Sequence, residues 1–260
     1  MIRPAFQKQE TSVELLIDFT SWLLKQRDTL PSRDVRAGAN ATAIMNSASA
    51  VDGVIEWVMR EELDAAHARA HREADRSSTA SRANAKAEAN EKYEAYRQDR
   101  LRSAYGIGDS TKKAFEEITG VQLTTLLIPH WEGLRALFVL RKLIAHGRMA
   151  RGDVYPSPSH AAPESIPTAA SLQATYFRWR ETDPDWETEL VRPLRVAEAY
   201  LRKPGVLERG FLAGRDETLS DTYFTDGVAD HFWNLAQASI DALSKRFDCI
   251  RGHELPRRFA

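Results

Sequence analysis

Apolar residues recur every three or four positions in one stretch of this chain after another, a period that buries one side of a helix and no side of a strand. Thr11-Ser-Val-Glu14 has capping-box spacing, and Val13, Leu16, Ile17, Leu23 and Leu24 follow it, so a helix is expected from Thr11 to just before Pro31. A second is predicted from about Ala41 towards Arg76. Its small-residue first half turns Val51, Val54, Ile55 and Val58 inward. Asp109 or Ser110 is expected to cap a short helix ending at Gly120, and Pro129 to open another. Residues 186–203 and 222–247 show the same period, the latter through Phe224, Val228, Phe232, Leu235, Ile240 and Leu243. Residues 169–180, with Tyr176, Phe177 and Trp179, suit helix or strand and are read as helix. Strands and helices do not alternate, so the fold class expected is all-α, a helical bundle in a single domain over 1–260.

Residues 60–102 are dense in Ala, Arg and Glu and poor in large apolar side chains. A Ser77-Ser-Thr-Ala-Ser81 cluster interrupts them. Good helix formers with mixed charge read as two long exposed helices around a turn, a charged hairpin projecting over 60–104. Such an insertion is most simply a solvated face; the alternative is a docking arm for RNA or a partner protein. His67 and His71 have the four-residue spacing that can hold a metal on a helix. No Cys lies near them and the acids around them are generic, so neither a metal nor a cofactor is expected.

Cys249 is the only cysteine, which excludes an internal disulfide framework and fits a reducing compartment. No apolar run approaches the ~20 residues that span a bilayer. The first ten residues lack an apolar leader core, so the expected location is cytoplasmic, with no membrane partner. A net charge of −1 argues against a general nucleic-acid-coating protein but leaves room for a local basic site.

The segment 131–147 supplies one. Leu134, Leu137, Phe138, Ile144 and Ala145 form a helical stripe, and Arg141 is expected to lie on it, closed by His146 and Gly147. A guanidinium keeps its proton, so placing one among apolar side chains demands an acceptor. Arg141 and His146, five positions apart, are separated by roughly 140° around the axis and about 7.5 Å along it. They converge on one ligand only if the helix unwinds at Gly147 or if two copies of the chain meet about a two-fold axis. An Arg beside an imidazole suits a phosphodiester: the Arg neutralises it and the His moves a proton near neutral pH. Lys142, Arg148 and Arg151 extend the basic cluster and are candidate substrate-binding residues. An irregular connection over 148–167, with Pro156, Pro158 and Pro163, leaves this point and is placed to line the site. Cations near a helix C-terminus are also favoured by the helix dipole alone, which is the plain structural reading of the same residues.

Leu140-Arg141-Lys142-Leu143-Ile144-Ala145-His146-Gly147 resembles the Arg-x4-His signature of the HEPN superfamily, the higher eukaryotes and prokaryotes nucleotide-binding domains. The resemblance covers about eight residues. It implies a helical bundle that forms a homodimer and joins two motifs in one composite site. It further implies a metal-independent endoribonuclease of a toxin–antitoxin or antiviral defence system, leaving 2′,3′-cyclic phosphate ends. On that likeness Arg141 would hold the scissile phosphate and His146 would act on the 2′-hydroxyl or the leaving oxygen. A cognate antitoxin or a nucleotidyltransferase would be a partner. Lys142 stands where a polar residue, commonly Asn, often follows the Arg, which removes any Asn-dependent positioning. The alternatives are a non-catalytic module of the same ancestry, binding nucleotide, RNA or a partner protein, and a scaffold that works through the charged hairpin. Phosphate-loop, dinucleotide-binding, nucleophile-elbow and zinc-protease motifs do not occur.

Overall fold

A computed structural model describes residues 6–76, 79–101, 106–145, 192–207 and 222–247. Among them every regular element is helical: α1 (Phe6–Gln26), α2 (Arg33–Asp75), α3 (Thr79–Ala95), α4 (Asp109–Thr119), α5 (Leu123–Leu126), α6 (Trp131–Ala145), α7 (Arg192–Arg202) and α8 (Asp226–Arg246). A 3-10 turn, Arg27–Thr29, follows α1, and a π turn, Tyr96–Leu101, follows α3. The all-α expectation holds. No described helix is long and apolar enough to cross a membrane. The expected loop over 148–167 and the helix over 169–180 lie outside the described residues.

Several boundaries differ from the sequence reading. α1 starts at Phe6, so Thr11 is inside the helix rather than its cap. α2 starts at Arg33, where Ser32 Oγ accepts from the Val35 amide, and it runs on through the small-residue stretch. Gly108, not Asp109 or Ser110, precedes α4, and no side chain caps it. Gly120 closes α4 as expected, in the left-handed conformation with φ 69°, its amide donating to Glu116 O at 2.9 Å. Pro129 sits in the turn before α6 rather than in its first turn. α5 went unforeseen because a single helical turn carries too few residues to show a period.

The chain divides into two compact units. One holds residues 1–15, 49–131 and 238–260; the other holds 16–48 and 132–237. The first unit buries Val51, Val54, Ile55, Val58 and Met59 of α2 together with Phe115, Leu123 and Leu127. Phe115 meets Phe247 edge to face with ring centroids 5.7 Å apart. Gly53 lies so close to Val13 that a Cβ there would stand 2.8 Å from the valine methyl. The predicted charged hairpin belongs to this unit, and its two helices are joined side by side. Lys86 Nζ of α3 pairs with Asp75 of α2 at 2.6 Å, and the Tyr93 hydroxyl donates to Asp64 at 2.7 Å.

The second unit buries Ile44, Leu134, Leu137, Leu140, Leu201, Tyr223 and Phe232. A charged lattice ties the α1–α2 turn to the start of α8. Arg27 donates to both carboxylate oxygens of Asp230, at 2.7 and 2.5 Å, a bidentate pair. Arg36 pairs with Asp226, and Asn40 Nδ2 donates to Asp226 Oδ1 at 2.8 Å and to Phe224 O at 3.0 Å. Asp226 also stands in the first turn of α8, where the helix dipole favours an anion. The Arg36 hydrogen bond holds its carboxyl below the usual range despite partial burial.

Candidate functional site

α6 places the candidate residues. Its first turn carries Glu132 and its last turn Lys142, the order the helix dipole prefers. Gly133, Leu134, Ala136, Leu137, Leu140 and Leu143 are its buried face. Leu134 and Leu137 of the expected stripe are therefore core, whereas Phe138 and Ile144 are half-buried and Ala145 is exposed. The hydrophobic face is rotated from the one first read, because the small residues Gly133 and Ala136 join it.

That rotation moves Arg141 to the rim of the buried face, half-buried rather than embedded. Its guanidinium lies over the Phe138 ring, 5.6 Å from the centroid, one turn back along the helix. The rim position removes the steep desolvation penalty expected of a core Arg and leaves the charge where solvent and a ligand can approach. Lys142 is exposed beside it. Arg141 and Lys142 are thus consecutive near the C-terminal end of α6, with side chains about 100° apart around the axis. His146, Arg148 and Arg151 lie outside the described residues.

A second polar cluster in the same unit escaped the sequence reading. Near the start of α6, a Tyr200–His231 pair shares a hydrogen bond of 2.9 Å, with ring centroids 5.4 Å apart. Gly133 makes room for it: a Cβ there would stand 2.6 Å from Tyr200 Cζ and 2.7 Å from Leu235 Cδ2. Lys203 Nζ reaches Glu132 at 2.6 Å close by, and this bond lowers the Glu132 carboxyl. The signal for the cluster in the sequence is Gly133, a helix-weakening residue at a core position of an otherwise apolar segment. Gly133 and Arg141 are eight residues apart, about 12 Å along the axis, so the two clusters do not form one site.

Burial depresses the His231 imidazole below its ordinary value. Below the usual pKa of about 6.5 the unfolded chain therefore binds a proton that the folded chain refuses, and stability rises with pH across that window. Melting temperature is expected to fall on acidification from neutrality through this range, and His231→Gln should flatten the slope. An unchanged slope in the variant assigns the effect elsewhere.

Comparison with family models, with curated proteins and with solved structures finds no match to this chain.

Proposed function

We propose that the chain is a metal-independent endoribonuclease of the HEPN type, working as a homodimer that joins two Arg141–His146 pairs at one RNA phosphate. The observation that supports this reading is that α6 carries Arg141 at its solvent rim and runs to Ala145, the residue before His146. A cation is thereby held half-buried near the end of a core helix, five positions before an imidazole in sequence.

In the reaction, the ribose 2′-oxygen attacks the adjacent phosphorus. One imidazole accepts the 2′-hydroxyl proton as the O2′–P bond forms; the other, as imidazolium, protonates O5′ as the P–O5′ bond breaks. The products are a 2′,3′-cyclic phosphate and a 5′-hydroxyl, with no water consumed. Arg141 neutralises the charge that builds on the non-bridging oxygens, and its planar fork suits phosphate better than an ammonium does. Lys142, Arg148 and Arg151 hold flanking phosphates. A cytoplasmic defence or toxin–antitoxin setting goes with this reading, as does a cognate antitoxin or nucleotidyltransferase partner.

Lys142, in the place where the resembling signature often has Asn, favours a second reading in which RNA is bound and not cut. One assay separates them. Purified protein incubated with mixed RNA in excess EDTA is expected to generate new 2′,3′-cyclic phosphate ends at the rate seen without chelator. RNA retained with no new ends selects the binding module, and cleavage lost to EDTA removes the metal-independent mechanism.

A further inference from the structure

His67 and His71 stand one turn apart on α2, and both direct Nε2 at a single atom of the neighbouring helix. Asn90 Oδ1 of α3 lies 2.8 Å from His67 Nε2 and 2.9 Å from His71 Nε2. The two imidazoles meet edge to face with centroids 4.4 Å apart, and His67 packs against the Tyr93 ring at the same separation. Tyr93 is in turn anchored to Asp64. Two ring nitrogens therefore converge on one point, from a packed base, and the atom at that point is itself an oxygen donor.

We infer that the α2–α3 hairpin holds a divalent transition-metal ion through His67 Nε2, His71 Nε2 and Asn90 Oδ1, with water completing the coordination. Two imidazoles select zinc, nickel or copper over calcium and magnesium, which take oxygen ligands. Metal–nitrogen bonds of about 2.0–2.1 Å in tetrahedral geometry set neighbouring donors roughly 3.3 Å apart, so each His–Asn90 separation needs to widen by only about half an ångström. Asn90 is exposed and both histidines are partly so, which gives the ion a path from solvent. A metal takes the Nε2 lone pair, which each ring offers with its proton on Nδ1, so loading replaces the contacts that Nε2 makes with Asn90 Oδ1. Among the described residues no trio of His, Cys, Asp or Glu is placed to hold a metal; the third donor here is an amide oxygen. The ion ties α3 to α2. It lies in the unit that does not contain Arg141, and the role we assign to it is structural.

Full-length protein stripped with EDTA, then titrated with zinc in a calorimeter and melted with and without nickel, tests the site. One ion per chain is expected, with an apparent melting rise of roughly 5–10 °C at a hundredfold excess over the dissociation constant. His71→Ala is expected to weaken zinc binding more than about tenfold, and Asn90→Asp to tighten it by supplying a charged oxygen. Asn90→Asp keeps the question decidable if His71→Ala perturbs the hairpin, because a gain in affinity requires a folded one. Absence of binding up to about 1 mM zinc, where imidazole pairs normally load, overturns the site. Binding left within about twofold by His67→Ala and His71→Ala together overturns it as well. Asn90→Asp without effect removes the amide from the ligand set.

Discussion

His146→Ala is expected to lower RNA cleavage by about 10²–10⁴-fold, the share that a positioned proton shuttle supplies, with helical content unchanged. The loss falls on turnover rather than on RNA affinity, because the imidazole acts on protons in flight. Arg141→Ala is expected to lower cleavage by roughly 10²–10³-fold, as removal of one charged donor at a developing oxyanion does. Arg141 also packs on Phe138, so part of its effect is structural, and a melting curve measures that part. Arg141→Lys keeps the charge but loses the fork, and should recover little. The double variant should be scarcely worse than His146→Ala alone, since groups acting on one transition state do not add. Undiminished cleavage in His146→Ala takes this residue out of the chemistry.

Gly133→Val is expected to destabilise the second unit by about 3 kcal/mol, at the upper end of what overpacking a core does. The added Cβ alone meets Tyr200 Cζ at 2.6 Å and Leu235 Cδ2 at 2.7 Å, both from side chains on the neighbouring core helices α7 and α8. Tyr200 can yield only by giving up its hydrogen bond with His231 and its stacking on Phe232, where ring centroids lie 6.4 Å apart. For a chain of this size the melting point should drop by roughly 6–12 °C. Tyr200→Phe removes the hydroxyl nearest to that Cβ, so Gly133→Ala and Tyr200→Phe together should cost less than their sum. Additive losses would mean that the tyrosine does not set the space.

The fold class was legible because period alone distinguishes helix from strand, and Val51, Val54, Ile55 and Val58 point inward where their spacing puts them. The helical state of α3 was legible for the opposite reason: Ala with mixed charge can be helical without a core of its own. Helix starts were read less well. Thr11 and Asp109 have capping side chains, yet α1 begins upstream of one and Gly108 precedes the other. The sequence singles out Arg141 but not its depth: glycine and alanine at 133 and 136 carry little apolar weight, yet the buried face turns towards them. The charged lattice around Asp226 was out of reach: Arg36 and Asn40 lie 190 and 186 residues from it, and no local pattern announces such a pairing. Asn90 was hidden in the same way. The histidine spacing is visible on one helix, whereas the third donor arrives from another.

Crystallisation of the assembled protein with an RNA carrying a 2′-deoxy substitution at the cleavage position puts the shared-phosphate proposal to the test. One scissile phosphate should lie within hydrogen-bonding distance of an Arg141 guanidinium, with His146 imidazoles from two protomers flanking its 2′ and 5′ positions. Imidazoles on separate faces of the assembly, or RNA seated away from the end of α6, would leave the nuclease reading without a site.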